Sequence, residues 1–368
     1  MKRLWVLACL ASALAASCIG GASGAEADAR LIPLAGIVRL ERSGEVVSVD
    51  GIQGLVAGDV LATGGDGLAR IVWGTGSRLE LARDTRVRLA AAEVVEILRG
   101  SVLASNTPTI RVAGVRITAS EALFRVDRAL STRVGVYRGL IRLPGFAAAD
   151  VVPELRQVVV LGGGRGRTVG PLQIESTDPW DARFLADPIE IGSGLLRLQR
   201  GLAAQLPRSD ARARSTVVEA LPGSVRSSLS PELVRDVPPA ELVVASGVSV
   251  RAARRTGVAP GDVLDDVVDL RAAGASWILV AAEWRLRRPA LEAVVALSGR
   301  VAEAFREAMT PSDEVTPSGQ APAPGNGGGE PSGAGDDPTQ GSEGDPPTLL
   351  PICDGVVGVV CDILEGIL

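Results

Sequence analysis

The sequence predicts a mainly β protein, a sandwich or a solenoid-like stack of short strands, with an α-helical second module. Three observations predict it. Apolar and polar residues alternate from about Leu34 to Ile174, which is the period of a half-buried strand. After Asp178 the apolar residues recur at helical spacing, up to about residue 310. Residues 311–347 are dense in Pro, Gly, Ser and acidic residues, a composition typical of a disordered linker.

The first 27 residues have the composition of an export signal. Lys2 and Arg3 form a charged start, and an apolar stretch of secretory-signal length follows. We therefore expect an exported, extracytoplasmic protein. Two processing routes stay open. Small residues before Cys18 resemble a bacterial lipobox, which would make Cys18 the lipidated membrane anchor, whereas cleavage near residues 25–27 would discard it.

The β region is predicted to span residues 34–175. Turns rich in Gly separate its apolar runs at residues 64–67 and 74–76, because Gly supplies the positive φ that hairpins require. Residues 134–143 have the pattern of two strands around a tight bend. The other predicted strands are 37–40, 58–63, 68–73, 77–81, 85–89, 94–98, 99–102, 115–118, 123–126 and 158–161.

The order of these runs resembles the FecR domain, the periplasmic part of iron-signalling regulators that work with sigma factors. The resemblance covers about residues 36–175, and it departs from the family at residues 121–123, which stand where Gly-Thr usually precedes the Phe. It implies an all-β extracytoplasmic interaction domain. The matching stretches are GDVLAT at 58–63, GLARI at 67–71, GSRLEL at 76–81, RGSV at 99–102, FRV at 124–126 and VGVYRGLI at 134–141.

From this resemblance we expect a non-enzymatic role in envelope protein interaction, signal sensing or scaffolding. Two alternatives stay open. Regulators of this family carry an anti-sigma segment and a membrane helix before the domain, where this chain has a leader. The chain could therefore be a partner, supplied in trans, of a transmembrane anti-sigma system. It could also bind a cell-wall polymer.

Residues 180–310 are predicted to form the helical module, with helices at 180–206 and 209–221. A third helix is bounded by Pro260 and Gly274, and Pro289 opens a strongly amphipathic fourth. Between the last two lies a short basic cluster of three arginines. It is the candidate partner-binding site, because guanidinium groups bind carboxylates and anionic polymers, although such clusters also occur simply solvated. The cluster is Arg285, Arg287 and Arg288.

Aromatic residues make up only 3% of the chain, so its cores must be built from Val, Leu, Ile and Ala. Trp73, Trp180, Trp277 and Trp284 are accordingly predicted to fill core positions.

The last segment, residues 348–368, is apolar and contains Cys353 and Cys361. Two cysteines in an exported chain are a disulfide candidate. The same segment also fits one face of a helix. The two interpretations exclude each other, since eight residues of helix would separate the thiols by about 12 Å.

The composition excludes several classes of function. The chain contains no His, and its only Lys is Lys2, so catalysis by Ser-His-Asp or Cys-His groups and His-based metal sites are excluded. We predict no catalytic residue, cofactor site or metal site. Residues 247–257 resemble a helix-turn-helix fragment, but the net charge of −5 argues against nucleic acid as a partner.

Overall fold

The structure is a computed structural model that describes residues 29–106, 109–146, 150–161, 166, 168–207 and 211–310. Internal contacts divide the chain into two units, Met1–Leu172 and Gln173–Leu368. In the described residues the first is all strands and the second all helices, apart from turns, and we call them the β unit and the helical unit. The predicted fold class is thus confirmed, while the export leader, the predicted linker and the C-terminal segment lie outside the described residues.

The β unit is a continuous strand system that folds into two layers. In one layer the order is β4-β1-β6-β7-β9-β11-β12-β14-β15, and in the other it is β3-β2-β5-β8-β9-β10-β11, with β13 beside β12. Among the described strands only β9 and β10 pair in parallel, so the architecture is the predicted sandwich and not a parallel solenoid. The strands are β1 (Ala29–Ala35), β2 (Val38–Arg42), β3 (Glu45–Ser48), β4 (Gln53–Gly54), β5 (Val60–Thr63), β6 (Leu68–Trp73), β7 (Arg78–Leu81), β8 (Arg86–Ala91), β9 (Val94–Ser105), β10 (Thr109–Val112), β11 (Val115–Arg128), β12 (Thr132–Arg142), β13 (Val151–Pro153), β14 (Arg156–Val160) and β15 (Gly170–Pro171).

One apolar core lies between the two layers, and the alternation of the sequence builds it. Along β6 every second residue is buried, and along β8 the buried residues Val87 and Leu89 alternate with exposed residues. Residues from both layers belong to the same core cluster, which includes Trp73. The core prediction for Trp73 is therefore confirmed.

The two layers are joined where β9 and β11 cross from one to the other. The N-terminal half of β9 pairs with β8, and its C-terminal half pairs with β7 and β11. At the crossing Gly100 has φ +85°, and a Cβ there would lie 2.5 Å from Cα of Thr85. The sequence pattern separated residues 94–98 from 99–102, whereas the structure has one bent strand, because Gly100 bends β9 without ending it.

Residues 134–143 are likewise not two strands. Residues 134–142 lie in the single strand β12, which ends before Leu143 and whose register against β11 shifts between Ser120 and Leu123. At this bulge Gly139 has φ +78° and Glu121 has φ +53°. The predicted bend was therefore wrong, because an added residue in an antiparallel pair is absorbed by a bulge that keeps both strands paired.

The helical unit contains nine helices in its described residues. Pro260 and Pro289 lie at the starts of their helices as predicted, and Gly274 follows the end of α7. The helices are α1 (Pro179–Phe184), α2 (Ala186–Gln205), α3 (Ala211–Ala220), α4 (Gly223–Arg226), α5 (Pro231–Asp236), α6 (Pro239–Thr256), α7 (Pro260–Ala272), α8 (Trp277–Glu283) and α9 (Arg288–Met309).

The predicted helix 180–206 is broken at Leu185, which has φ −127° and separates α1 from α2. The cause is Pro188, three residues further on. In a continuous helix its ring would collide with the carbonyl group of Phe184, so the helix must restart before it.

A second apolar core lies among α2, α6, α8 and α9. Trp277 is fully buried there, and its indole Nε1 donates to Oε1 of Gln199 over 2.7 Å. Gln199 in turn donates to Glu241, which pairs with Arg271, and the Arg271 guanidinium lies 4.8 Å from the Trp277 ring. The core prediction is confirmed for Trp277, whereas Trp180 and Trp284 are only half-buried.

Candidate partner-binding surface

The predicted basic cluster occupies the short connection between α8 and α9. Backbone hydrogen bonds from Arg285 to Ala282 and from Leu286 to Ala281 close the end of α8. This pattern is a Schellman motif, with Arg285 as the residue in the left-handed conformation. Leu286 is buried and anchors the connection, so the motif holds the flanking arginines at the surface.

One arginine from a second helix joins this cluster. Nη1 of Arg255, in the last turn of α6, donates to the main-chain oxygen of Arg285 over 3.0 Å. Arg254 precedes it on the exposed end of the same helix. Residues 247–257 and 285–288 are separate stretches of the sequence, and nothing in the sequence indicates that they meet. We call Arg255, Arg285, Arg287 and Arg288 the arginine surface.

The arginine surface includes two exposed ion pairs. Nη1 of Arg287 lies 3.2 Å from Oδ2 of Asp187, and these side chains are 75% and 67% exposed. Nε of Arg288 lies 4.0 Å from Oε1 of Glu292, one turn along α9. Exposed pairs of this kind contribute about 0–1 kcal/mol, so an incoming anion can replace them at little cost.

The other two arginines have no carboxylate partner in the part of the chain that the structure describes. Arg255 donates to a carbonyl group, and the side chain of Arg285 makes no described ion pair. Four guanidinium groups thus lie close together, and their donors suit carboxylate or phosphate oxygens.

Arg285 also occupies a backbone position that usually belongs to glycine. The helix α7 ends in the same pair of hydrogen bonds, and there the left-handed residue is Gly274, with φ +90°. Arg285 adopts φ +43° at the corresponding position of α8. A side chain in this conformation costs about 1–2 kcal/mol, and residues kept at such a cost are concentrated at functional sites.

Trp284 directly precedes this strained residue. Its indole Nε1 is buried and has no hydrogen-bond partner in the described structure, in contrast to Nε1 of Trp277. A buried donor without an acceptor costs about 1–3 kcal/mol. The connection between α8 and α9 therefore contains two locally unfavourable features in adjacent residues.

The remaining sequence-based site predictions fall elsewhere. Cys18, Cys353 and Cys361 lie outside the described residues, so lipidation and the disulfide stay predictions. Residues 247–256 form the C-terminal part of α6, and Gly257 begins the three-residue connection to α7.

Two chemical features are absent from the described residues. They contain no group of His, Cys, Asp or Glu side chains arranged to hold a metal ion. No helix among them has the length and apolar composition needed to cross a membrane.

Comparison with known proteins found weak structural similarities and no sequence match. No family model matches the chain, and no curated protein matches it. Among solved structures, two crystal structures of a protein described as an anti-sigma factor from Parabacteroides distasonis ATCC 8503 are similar to part of it. Their sequence identities to the chain are 13% and 12%, and the TM-scores are 0.28 and 0.27.

Each likeness covers 31% of this chain and 60% of the matched chain. Similarity at these TM-scores carries no argument about fold or function. The FecR resemblance therefore stays a prediction from the sequence motifs.

Proposed function

We propose that this chain is a non-enzymatic binding protein of the cell envelope, in which the arginine surface holds an anionic partner. The observation that carries the proposal is the hydrogen bond from Arg255 to the main chain of Arg285, which brings two basic stretches of the sequence to one place. The β unit would serve as the scaffold, as the FecR-like order of its motifs implies.

The chemistry of the surface favours a polymer with repeated acidic groups. Arginine keeps its charge at every accessible pH, and its fork of donors matches the two oxygens of a carboxylate or phosphate. Several weak exposed contacts gain strength when the anions are linked, because each contact after the first is effectively intramolecular. An anionic cell-wall polymer, one of the partners predicted from the sequence, has this chemistry.

The test is retention of the full chain on insoluble cell-wall material across a series of salt concentrations. We expect retention that falls as salt rises, since exposed charges are screened within about 10 Å at 0.1 M salt. Replacement of Arg285, Arg287 and Arg288 by Ala should abolish it.

A matched triple variant controls for the simple loss of positive charge. Arg226, Arg235 and Arg300 are also exposed on the helical unit, and their replacement by Ala should leave retention within about twofold of the parent at moderate salt. Absence of retention in the parent, or equal losses in the two triple variants, would contradict the proposal.

A further inference from the structure

A second interaction surface lies on the β unit, at the outer edge of β3. This strand pairs with β2 alone among the described strands, and all four of its residues are exposed. Val46 is 61% exposed and Val47 is 45% exposed. An apolar strand at a sheet edge is a template for another strand.

The hydrogen bonds of β2 determine which backbone groups β3 presents outward. The main-chain N–H of Val49 donates to the carbonyl group of Val38 over 2.9 Å. Pairs alternate along an antiparallel ladder, so Val47 also bonds to β2, through Leu40. The N–H and C=O groups of Val46 and Ser48 therefore point away from the sheet, where another strand can reach them.

This edge lacks the features that usually block pairing. The other edge strands are shorter, since β4 and β15 have two residues each, and β13 has three and ends in a proline. In contrast, β3 has four residues and contains no proline, and its only charge is Glu45. Its register with β2 runs without a shift from Arg39 to Arg42, so no bulge twists the edge away.

We propose that the occupant of this edge is β3 of a second copy of the chain, paired antiparallel about a two-fold axis at Val47. In this register Val46 of each copy forms two hydrogen bonds with Ser48 of the other. Val47 faces Val47 of the second copy at a non-hydrogen-bonded position, where side chains approach most closely.

Charge and polarity favour this occupant and this register. Glu45 falls opposite Val49 of the second copy, so no two like charges face each other. Leu40 and Val47 share a face of the sheet, because they are directly paired, and the two-fold extends them into an apolar row of four residues. A register centred on Val46 would instead place each Val47 against a Glu45 carboxylate.

The contact is small, because each copy supplies a single four-residue strand. Stable interfaces bury more than about 1,000 Å², so the dimer is expected to be weak and dependent on concentration. Covalent trapping is therefore the appropriate test, and the two-fold register predicts which position can be trapped.

The experiment uses the full chain with Val47→Cys under mild oxidation, analysed on non-reducing gels and by mass spectrometry of the linked peptide. We expect a dimer joined by a disulfide between the two introduced thiols, because Cα atoms of a non-hydrogen-bonded pair lie about 4.5 Å apart, within the span that a disulfide bridges. Val46→Cys is the matched control. In this register residue 46 of one copy faces residue 48 of the other. The two introduced thiols would therefore lie two residues apart along the strands, too far for a disulfide. The parent chain, treated identically, accounts for its own cysteines.

A second change tests strand pairing itself. Ser48→Pro in the Val47→Cys chain removes an outward N–H but leaves the bonds to β2, so circular dichroism should be unchanged while cross-linking falls several-fold. The proposal would be overturned by a Val47→Cys chain that stays monomeric, or by equal cross-linking at positions 46 and 47. Cross-linking that persists with Ser48→Pro would also overturn it. A monomeric result would leave this edge to a different protein.

Discussion

Arg42 binds the carboxylate of Asp59 through two parallel hydrogen bonds, from Nε over 2.9 Å and from Nη2 over 2.7 Å. The Asp59 side chain is 1% exposed, whereas that of Arg42 is 42% exposed. The N–H of Val56 donates to the same carboxylate, and Nη2 of Arg42 also reaches the carbonyl group of Gly54. The pair thus holds the connection from β4 to β5 against the end of β2, and its hydrogen bond raises the pKa of Arg42.

Replacing Arg42 by Ala should destabilise the β unit by about 1–3 kcal/mol, because a buried carboxylate would lose its main partner. Chemical denaturation followed by circular dichroism measures the change. The control is Arg86→Ala, since Arg86 pairs with Glu41 on the exposed face and should contribute less than about 1 kcal/mol. Equal losses in the two variants would show that Asp59 does not depend on Arg42.

The crossing of β9 between the two layers gives a second prediction. Gly100→Ala should destabilise the chain by about 2–4 kcal/mol, because the new Cβ would meet the backbone of Thr85 in addition to the cost of positive φ. Gly76 has nearly the same φ, +83°, with open space around it. Gly76→Ala should therefore cost only about 1–2 kcal/mol. The difference between their unfolding midpoints isolates the steric contribution, and similar midpoints would refute it.

A third prediction concerns Trp277, at the start of α8, and Trp284, at its end. Trp277→Phe should lower the free energy of unfolding by about 2–3 kcal/mol, since it removes the bond to Gln199 and leaves the half-buried Oε1 of that residue without this donor. Trp284→Phe removes a donor that has no partner in the described structure, so its stability should stay within about 1 kcal/mol of the parent. Urea titrations of both variants provide the measurement, and a larger loss for Trp284→Phe would be the contrary result.

The sequence predicted the strands and helices best where periodicity determines them. The alternation in β6 and β8 and the Pro-to-Gly limits of α7 translate directly into which residues are buried. Periodicity does not report how a strand continues past an irregular residue. For this reason the bends at Gly100 and Gly139 were interpreted as strand ends or turns, although pairing with neighbouring strands keeps β9 and β12 continuous.

The candidate site could be predicted only in part. The cluster at residues 285–288 is visible as adjacent arginines in the sequence. Its contact with Arg255 depends on how α6 packs in the helical core, a long-range relationship that one sequence does not encode locally. The left-handed conformation of Arg285 could not be predicted either, because a Schellman motif is usually recognised in a sequence by its glycine, as at Gly274.

A reciprocal exchange at these two helix ends separates stability from binding. Arg285→Gly places glycine in a left-handed position, so the chain should be as stable as the parent or up to about 1 kcal/mol more stable. Its retention on cell-wall material should nevertheless fall, because the arginine surface loses a guanidinium group without a described carboxylate partner.

Gly274→Arg is the counterpart, because it adds an arginine at the same motif on α7. It should destabilise the chain by about 1–2 kcal/mol and leave retention unchanged. Unfolding midpoints and salt-dependent retention are measured on the same preparations. If Arg285→Gly loses stability and binding together, the arginine is structural and its unfavourable backbone conformation has no functional cause.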